Sequence, residues 1–135
     1  MIVGGGYAGF YTAFKLQKLL RRGEAEVVVI DPLPYMTYQP FLPEVAAGSI
    51  EARHAIVPLR RHLNKCRVIT ARVTGINHSA KTVTVTPEGQ PDFSLDYDHI
   101  VITAGAVSRT FPIPGGLRHW DEDHRRGRLG PRPPD

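Results

Sequence analysis

The sequence has a single cysteine and no long apolar run, and both absences exclude classes of protein. Cys66 is the only cysteine among 135 residues, so an internal disulfide and a cysteine-pair metal site are excluded. The apolar stretches fall well short of the roughly 18 residues that a membrane-spanning helix needs. The amino terminus lacks the basic leader of a secretory signal. We therefore expect a cytoplasmic protein without a transmembrane segment in this chain.

Charge and histidine content exclude two further kinds of site. The net charge is +4, but in the sequence the basic residues form only short pairs at expected helix ends, such as Arg21 with Arg22. No aromatic residues alternate with them, so we expect no nucleic-acid partner. The six histidines include no pair spaced four residues apart with a carboxylate partner on a credible helix. No metal site is predicted.

Residues 1–31 have the pattern strand, helix, strand. Ile2 and Val3 end a short first strand, and apolar residues recur at helical spacing from about residue 8 to residue 22. Gly23 is expected to cap the helix. The continuous apolar run EVVVI (26–30) is typical of a parallel strand covered on both faces.

The middle of the chain predicts a long ordered loop followed by β-structure. Four prolines follow Asp31 closely and disfavour a long helix, and residues 55–65 indicate a short one. Alternation of apolar and polar residues over 67–86 predicts a β-hairpin. Residues 88–93 are expected to form a turn, and 97–103 a further strand.

Beyond residue 115 the periodicity disappears. This stretch is rich in arginine and proline, which indicates either a disordered tail or an out-of-frame translation of GC-rich coding sequence, and we favour the second. The predicted organisation is therefore one domain over residues 1–115 and an irregular tail over 116–135.

The glycine-rich loop near the amino terminus predicts a dinucleotide-binding site. Gly4, Gly6 and Gly9 have the spacing G-x-G-x-x-G between a strand and a helix. In this motif the first glycine permits a tight turn, the second lets the backbone approach a pyrophosphate, and the third lets helix and strand pack closely. Tyr7 and Ala8 lie in the same turn, where free N–H groups at the helix start can bind the pyrophosphate.

An acidic residue stands where the ribose of the dinucleotide is expected. Asp31 ends the second predicted strand, 22 residues after Gly9. Its carboxylate can accept hydrogen bonds from the ribose hydroxyls and would repel a phosphate on the 2′ position. A Gly-rich turn beside a surface aspartate is the alternative, but strand, helix and acid all agree with the binding motif.

The order of elements resembles the FAD domain of the pyridine nucleotide–disulfide oxidoreductase superfamily. The shared features are the long aromatic loop, the helix after it, and a β-meander that returns to YDHIVITAGA. The resemblance implies a Rossmann-like α/β fold, a parallel sheet with helices plus a β-meander, which is incomplete here. It also implies bound FAD, with adenine contacting the backbone around Val73. A small-residue segment would close toward the flavin, formed by Thr103, Ala104 and Gly105.

Three segments are similar to the type II NADH:quinone oxidoreductases within that superfamily. They are YMTYQPFLPEVAAGSI, VPLRRHL and AGAVSRTFPIPG. The resemblance implies an enzyme in which the flavin accepts hydride from NADH and passes electrons to a quinone. It also implies that Gln39 and Pro40 lie near the flavin and quinone pocket. The cofactor carries this chemistry, so no catalytic side chain is predicted. The neighbouring aromatics, Tyr35, Tyr38 and Phe41, could wall that pocket or merely pack the loop.

Departures from the superfamily limit what we expect of this chain. Residues 34–48 contain no cysteine, which excludes the dithiol chemistry of many members. A second glycine motif, a later Gly-Asp flavin segment and a carboxyl-terminal quinone and membrane region are not found. We therefore expect the first portion of a longer enzyme, inactive alone, whose remaining part allows peripheral association with the inner face of a membrane. The alternatives are a non-catalytic dinucleotide-binding module and a non-functional fragment of another FAD-dependent oxidoreductase.

Overall fold

A computed structural model of the chain describes residues 1–106. Residues Met1–Gly105 form one compact unit, and the predicted boundary at residue 115 lies outside the described residues, as does the tail. The elements follow in this order: β1 (Ile2–Val3), α1 (Tyr7–Leu19), β2 (Val28–Asp31), β3 (Tyr35–Thr37), α2 (Leu42–Ala46), β4 (Ile56–Pro58), α3 (Leu59–His62), β5 (Arg67–Thr70), β6 (Arg72–Asn77), β7 (Thr82–Thr86), β8 (Phe93–Asp96) and β9 (Val101–Ile102). Two short 3-10 turns, Gln39–Phe41 and Ala52–Ala55, complete them.

A four-stranded parallel sheet forms the centre, in the order β5-β2-β1-β9. One of its two inner strands, β1, has only two residues, as the sequence predicts. Ile2 pairs with Val29 on one side and Val101 on the other, and Ile2 and Val3 are both buried. A strand this short is sufficient because it is hydrogen-bonded on both edges and covered on both faces.

Helix α1 confirms the predicted first helix but ends earlier than expected. The predicted range was 8–22, and the predicted cap at Gly23 is wrong. Leu20 leaves the helix with extended backbone while its N–H still bonds to the Leu16 carbonyl. Leu20 is partly buried against the core, so packing of this residue ends the helix before the glycine. Gly23 instead takes a positive φ of 83° in the turn that follows.

The segment after Asp31 is more regular than the predicted loop. Strands β3 and β4 pair antiparallel, with Met36 opposite Val57. The predicted helix over 55–65 is reduced to α3, because Ile56–Pro58 belongs to β4. The Leu59 N–H donates to the Pro34 carbonyl at 3.0 Å, which ties the start of α3 to the start of β3.

The predicted β-hairpin is correct only in its second part. Strands β6, β7 and β8 form an antiparallel meander. Residues 67–70, which we expected in that hairpin, form β5 and join the parallel sheet beside β2. Val68 and Ile69 of this edge strand pack against the two opposite cores, whereas Arg67 and Thr70 are exposed, so the strand is covered on both faces as a parallel strand is. Two other predictions are corrected as well. Strand β8 begins at Phe93, inside the turn expected over 88–93, and the strand expected over 97–103 is shortened to β9.

The two faces of the parallel sheet are covered by different layers. One core lies between the sheet and the helices and is formed by Ile2, Phe10, Ala13, Val27, Val29, Met36, Leu59 and Leu63. The other lies between the sheet and the meander and is formed by Val28, Ile30, Ala71, Val83, Val85 and Tyr97. Among residues 1–106, no helix has both the length and the apolar character needed to cross a membrane.

Gln17 is a buried polar residue that the sequence pattern did not single out. Its Nε2 donates to the His62 carbonyl at 2.8 Å, and its Oε1 accepts from the Lys65 N–H at 3.3 Å. The side chain therefore joins the last turns of α1 to the segment after α3. Buried polar groups are retained when both of their hydrogen-bonding ends are satisfied.

We expect Gln17→Ala to lower the free energy of unfolding by about 2 kcal/mol, because it empties a buried position and leaves two partly buried backbone groups without partners. Urea denaturation monitored by circular dichroism measures the change. The exposed Gln90 provides a matched control, since Gln90→Ala removes no described side-chain hydrogen bond and should change stability by less than about 0.5 kcal/mol. Equal effects of the two substitutions would contradict the assigned role.

Candidate nucleotide-binding site

The glycine loop lies at the carboxyl edge of the parallel sheet, where β1 passes into α1. Gly4 has a positive φ of 104°, which favours glycine, and its N–H donates to the Ile30 carbonyl at 2.8 Å. A Cβ at this position would overlap the Thr103 carbonyl. The tight turn predicted at Gly4 is therefore present, and it is pressed against the end of β9.

Gly9 is the point of closest contact between α1 and the loop. It is buried, and a Cβ on it would overlap the Gly4 carbonyl oxygen and lie 2.7 Å from Thr103 Oγ1. Only glycine allows α1 to approach this closely. The predicted packing role of the third glycine therefore agrees with its surroundings.

Gly6 differs from the other two glycines of the motif. Its φ is −69°, a value that any residue adopts, and a Cβ would meet no atom within 4 Å. The residue is exposed at the amino end of α1. The next N–H groups, those of Tyr7 and Ala8, lie in the first turn, where an α-helix leaves its donors without partners inside the helix.

Asp31 fastens the glycine loop to the end of β2. Its Oδ2 accepts from the Gly5 N–H at 2.6 Å, and its Oδ1 accepts from the Leu33 N–H at 2.7 Å. Gly5 was missed by the sequence analysis, although a Cβ there would lie 2.7 Å from Leu59 Cδ1 and 3.2 Å from Asp31 Cβ. The run of three glycines, one more than the motif requires, was the available signal.

Thr103 is the residue of the predicted small-residue segment that contacts the loop. Its Oγ1 lies 2.9 Å from both the Val3 and the Gly4 carbonyl oxygens, and its N–H donates to Val3 at 2.7 Å. Ala104 and Gly105 follow it in exposed positions, and Gly105 has a φ of 69°. The structure thus brings the beginning of this segment to the glycine loop.

Val73, Gln39 and Pro40 take part in none of the glycine-loop contacts described above. Val73 is partly buried against the core beneath the meander, two residues after Ala71, whose N–H donates to the Asp31 carbonyl at 2.9 Å. Gln39 and Pro40 begin an exposed 3-10 turn. Their predicted roles at adenine and at the acceptor pocket stay predictions.

Aromatic side chains connect the start of α1 with that 3-10 turn. The rings of Tyr7 and Tyr38 have centroids 6.1 Å apart, and those of Tyr38 and Phe41 are 4.9 Å apart and edge-to-face. The Tyr38 ring therefore packs this turn onto the helix, while Phe41 remains 44% exposed. Among residues 1–106, the Tyr7 hydroxyl is a buried polar atom with no hydrogen-bond partner.

Other chemically active groups in the described part of the chain do not form a site. No group of three or more histidine, cysteine or acidic residues within 1–106 could hold a metal ion. Burial raises the pKa of the Cys66 thiol, which lowers its thiolate fraction and hence its nucleophilicity.

Comparisons with known proteins point in the same direction as the loop geometry. A family model described as pyridine nucleotide-disulphide oxidoreductase matches residues 1–128. The chain is 35% identical over 125 residues to the mitochondrial external alternative NAD(P)H-ubiquinone oxidoreductase B3 of Arabidopsis thaliana, covering 85% of this chain and 21% of the relative. It is 37% identical over 121 residues to a type II NADH:quinone oxidoreductase of Staphylococcus epidermidis, covering 88% and 29%.

A solved structure, that of NDH2 from Plasmodium falciparum in complex with NADH, matches with a TM-score of 0.72 and 25% identity. The match covers 87% of this chain and 24% of the other. The predicted Rossmann-like α/β fold, with a parallel sheet and a β-meander and only part of a larger domain, is confirmed. The chain spans between 21% and 29% of the length of the curated relatives given above.

The contrast between Gly9 and Gly6 predicts unequal effects of alanine substitution on stability. Gly9→Ala places a Cβ inside the Gly4 carbonyl and should lower the free energy of unfolding by about 3 kcal/mol. Gly6→Ala enters open space at an ordinary φ and should change it by less than about 0.5 kcal/mol. Urea denaturation of both variants tests this, and a Gly6→Ala chain that is as unstable as Gly9→Ala would contradict the geometry.

Proposed function

The chain belongs to the pyridine nucleotide-disulphide oxidoreductase family, and on that premise we propose that it is the FAD-binding portion of a longer NADH:quinone oxidoreductase. The proposal has two parts. The first is that the glycine loop binds the dinucleotide part of FAD. The second is that the complete protein uses NADH as donor and a quinone as acceptor, as the names of its relatives state for them.

The open position at Gly6 is the observation that carries the first part. Gly4 and Gly9 are glycines because the protein itself leaves no room for a Cβ. Neither backbone conformation nor packing requires glycine at position 6. A glycine that the fold does not need is explained when a group outside the chain must approach the backbone there, as a pyrophosphate does in this motif.

The charge at the start of α1 also fits an anion. The helix begins without a side-chain cap and without an acidic residue in its own first turn, so no residue of α1 neutralises the positive end of its dipole. The N–H groups of Tyr7 and Ala8 are therefore suited to the pyrophosphate oxygens.

The remaining contacts follow from the positions of the residues around the loop. Each carboxylate oxygen of Asp31 accepts one backbone hydrogen bond and retains capacity for a second, which a ribose hydroxyl can donate. Thr103, Ala104 and Gly105 would lie against the inner part of the cofactor, and Val73 against adenine. Gln39 and Pro40 are our candidates for the acceptor side.

FAD supplies the hydride and electron chemistry when bound, so the contribution of this chain is binding and orientation. Since quinones are lipid-soluble, an enzyme that reduces one works at a membrane surface. We therefore place the complete protein in peripheral contact with a membrane. The NADH site and most of the acceptor site are assigned to the part of the protein that the relatives have beyond this chain.

Titration of the 135-residue chain with FAD, ADP-ribose and NADH tests the first part. We expect FAD and ADP-ribose to bind and Gly6→Ala to weaken both at least tenfold, because its methyl group occupies the place of the pyrophosphate. The matched control is Gly75→Ala in β6, where a Cβ makes only ordinary contacts at 3.4 Å or more. Fluorescence quenching of the flavin and calorimetry give the affinities.

Three outcomes of the titration test the proposal. A chain that binds neither FAD nor ADP-ribose, or a Gly6→Ala variant that binds as the parent does, overturns the proposal. Binding of both ligands together with NADH:quinone turnover would show that this chain is more than a binding portion. Binding without turnover is what we expect.

A further inference from the structure

The outer surface of α1 carries positive charge that the dinucleotide site does not use. The helix buries the stripe Gly9, Phe10, Ala13 and Gln17 against the sheet. At about 100° per residue, positions 11, 15 and 18 fall on the opposite side. Tyr11, Lys15 and Lys18 are accordingly exposed.

Three further cations extend this surface at the carboxyl end of the helix. Arg21, Arg22 and Lys65 are exposed and line a cavity of about 350 Å³. Lys65 is distant in sequence but is held there by its N–H bond to Gln17 Oε1. We call the five cations the basic face: Lys15, Lys18, Arg21, Arg22 and Lys65. In the sequence these cations form only short pairs of basic residues, because their clustering depends on the fold.

The basic face is not neutralised by ion pairs within the described residues. The side-chain ion pairs found in residues 1–106 join Arg53 to Glu51 and Arg67 to Glu26, and neither pair includes a member of the face. Glu24 lies at the same helix end, where its carboxylate accepts the Arg21 N–H at 2.9 Å. The five cations outnumber the two acids of the adjoining turn, Glu24 and Glu26, so the surface is net positive.

An exposed leucine lies among these cations. Leu19 is 75% exposed, and Tyr11 on the same side of the helix is 51% exposed. Lysine and arginine are attracted to anionic lipid headgroups, and an exposed leucine or aromatic ring gains from the apolar boundary beneath those headgroups. Nucleic acid would use the cations but would give Leu19 no apolar environment.

We propose that the basic face binds the anionic surface of a phospholipid membrane, with Leu19 entering the headgroup layer. The face lies along the outside of α1, and its Arg21–Arg22 end is the end opposite the glycine loop. Contact with a membrane therefore leaves the dinucleotide site open. This inference rests on the proposed function in one respect, the peripheral contact with a membrane, and adds the surface of this chain that makes it; it needs neither FAD nor a quinone to be tested.

Co-sedimentation with lipid vesicles tests the proposal on the 135-residue chain. We expect binding to phosphatidylcholine vesicles that contain phosphatidylglycerol, little binding to phosphatidylcholine alone, and weaker binding as salt is raised. Lys15→Ala/Lys18→Ala should weaken binding about thirtyfold, which is about 2 kcal/mol at about 1 kcal/mol per cation. Arg53→Ala/Arg72→Ala removes the same number of cations elsewhere and is the matched control.

A second pair of variants tests the contribution of the exposed leucine. Leu19→Gln should weaken vesicle binding without changing the charge, whereas Ile76→Gln, at a residue that is 41% exposed in β6, should not. Thermal melts establish that each variant is folded, and FAD titration of Lys15→Ala/Lys18→Ala should match the parent. Retained FAD affinity with lost vesicle binding separates this proposal from the dinucleotide site.

Several results would overturn the membrane assignment. They are equal binding to neutral and anionic vesicles, equal loss in the test and control double variants, and no effect of Leu19→Gln. Displacement of the chain from anionic vesicles by a short RNA would assign the basic face to nucleic acid instead.

Discussion

The carbonyl oxygen of Gly4 is the point at which β1, α1 and β9 come together. Thr103 Oγ1 lies 2.9 Å from it, and Gly9 packs so closely against it that no Cβ fits. Because strand end, helix start and neighbouring strand end share this one contact, the amino end of α1 can take only one position over the sheet edge. That packing sets the direction of the free N–H groups of α1, and it therefore sets the geometry of the candidate nucleotide-binding site.

Asp31 extends the same constraint to β2. Its carboxylate holds the Gly5 N–H and the Leu33 N–H, so the loop is fixed from the side opposite Thr103. A residue expected to serve only a ligand therefore also shapes the site that receives it. Loss of this carboxylate would disturb the loop before any ligand arrives, and ribose binding and loop position cannot be varied independently at this residue.

The sequence was sufficient for the parts of the fold that rest on local chemistry. The short strand β1, the helix α1, the turn at Gly4 and the antiparallel hairpin of β6 and β7 each have a local signal in glycine spacing or in apolar periodicity. The site residues that hold the glycine loop in place, Gly4, Gly9 and Asp31, were identified for the same reason. Their motif is defined by positions along the chain.

What the sequence did not supply depended on partners distant in the chain. Strand β5 was included in the predicted hairpin, yet it pairs with β2, a strand separated from it in sequence by β3, β4 and two helices. Gln17 looks like an ordinary surface glutamine until the His62 carbonyl and the Lys65 N–H appear beside it. The short pairing of β3 with β4 was hidden by the prolines around it.

Helix α1 shows how one element can meet two independent demands. Its inner stripe must be small at Gly9 and apolar at Phe10 and Ala13, because it packs on the sheet and positions the loop. Its outer side does not pack on the sheet. Residues there need only keep the protein soluble, and scattered charges of both signs are sufficient for that. Between residues 11 and 22 the charged residues are all basic, and Leu19 is exposed beside them. Solubility explains neither the single sign nor the leucine, whereas contact with an anionic, partly apolar surface explains both.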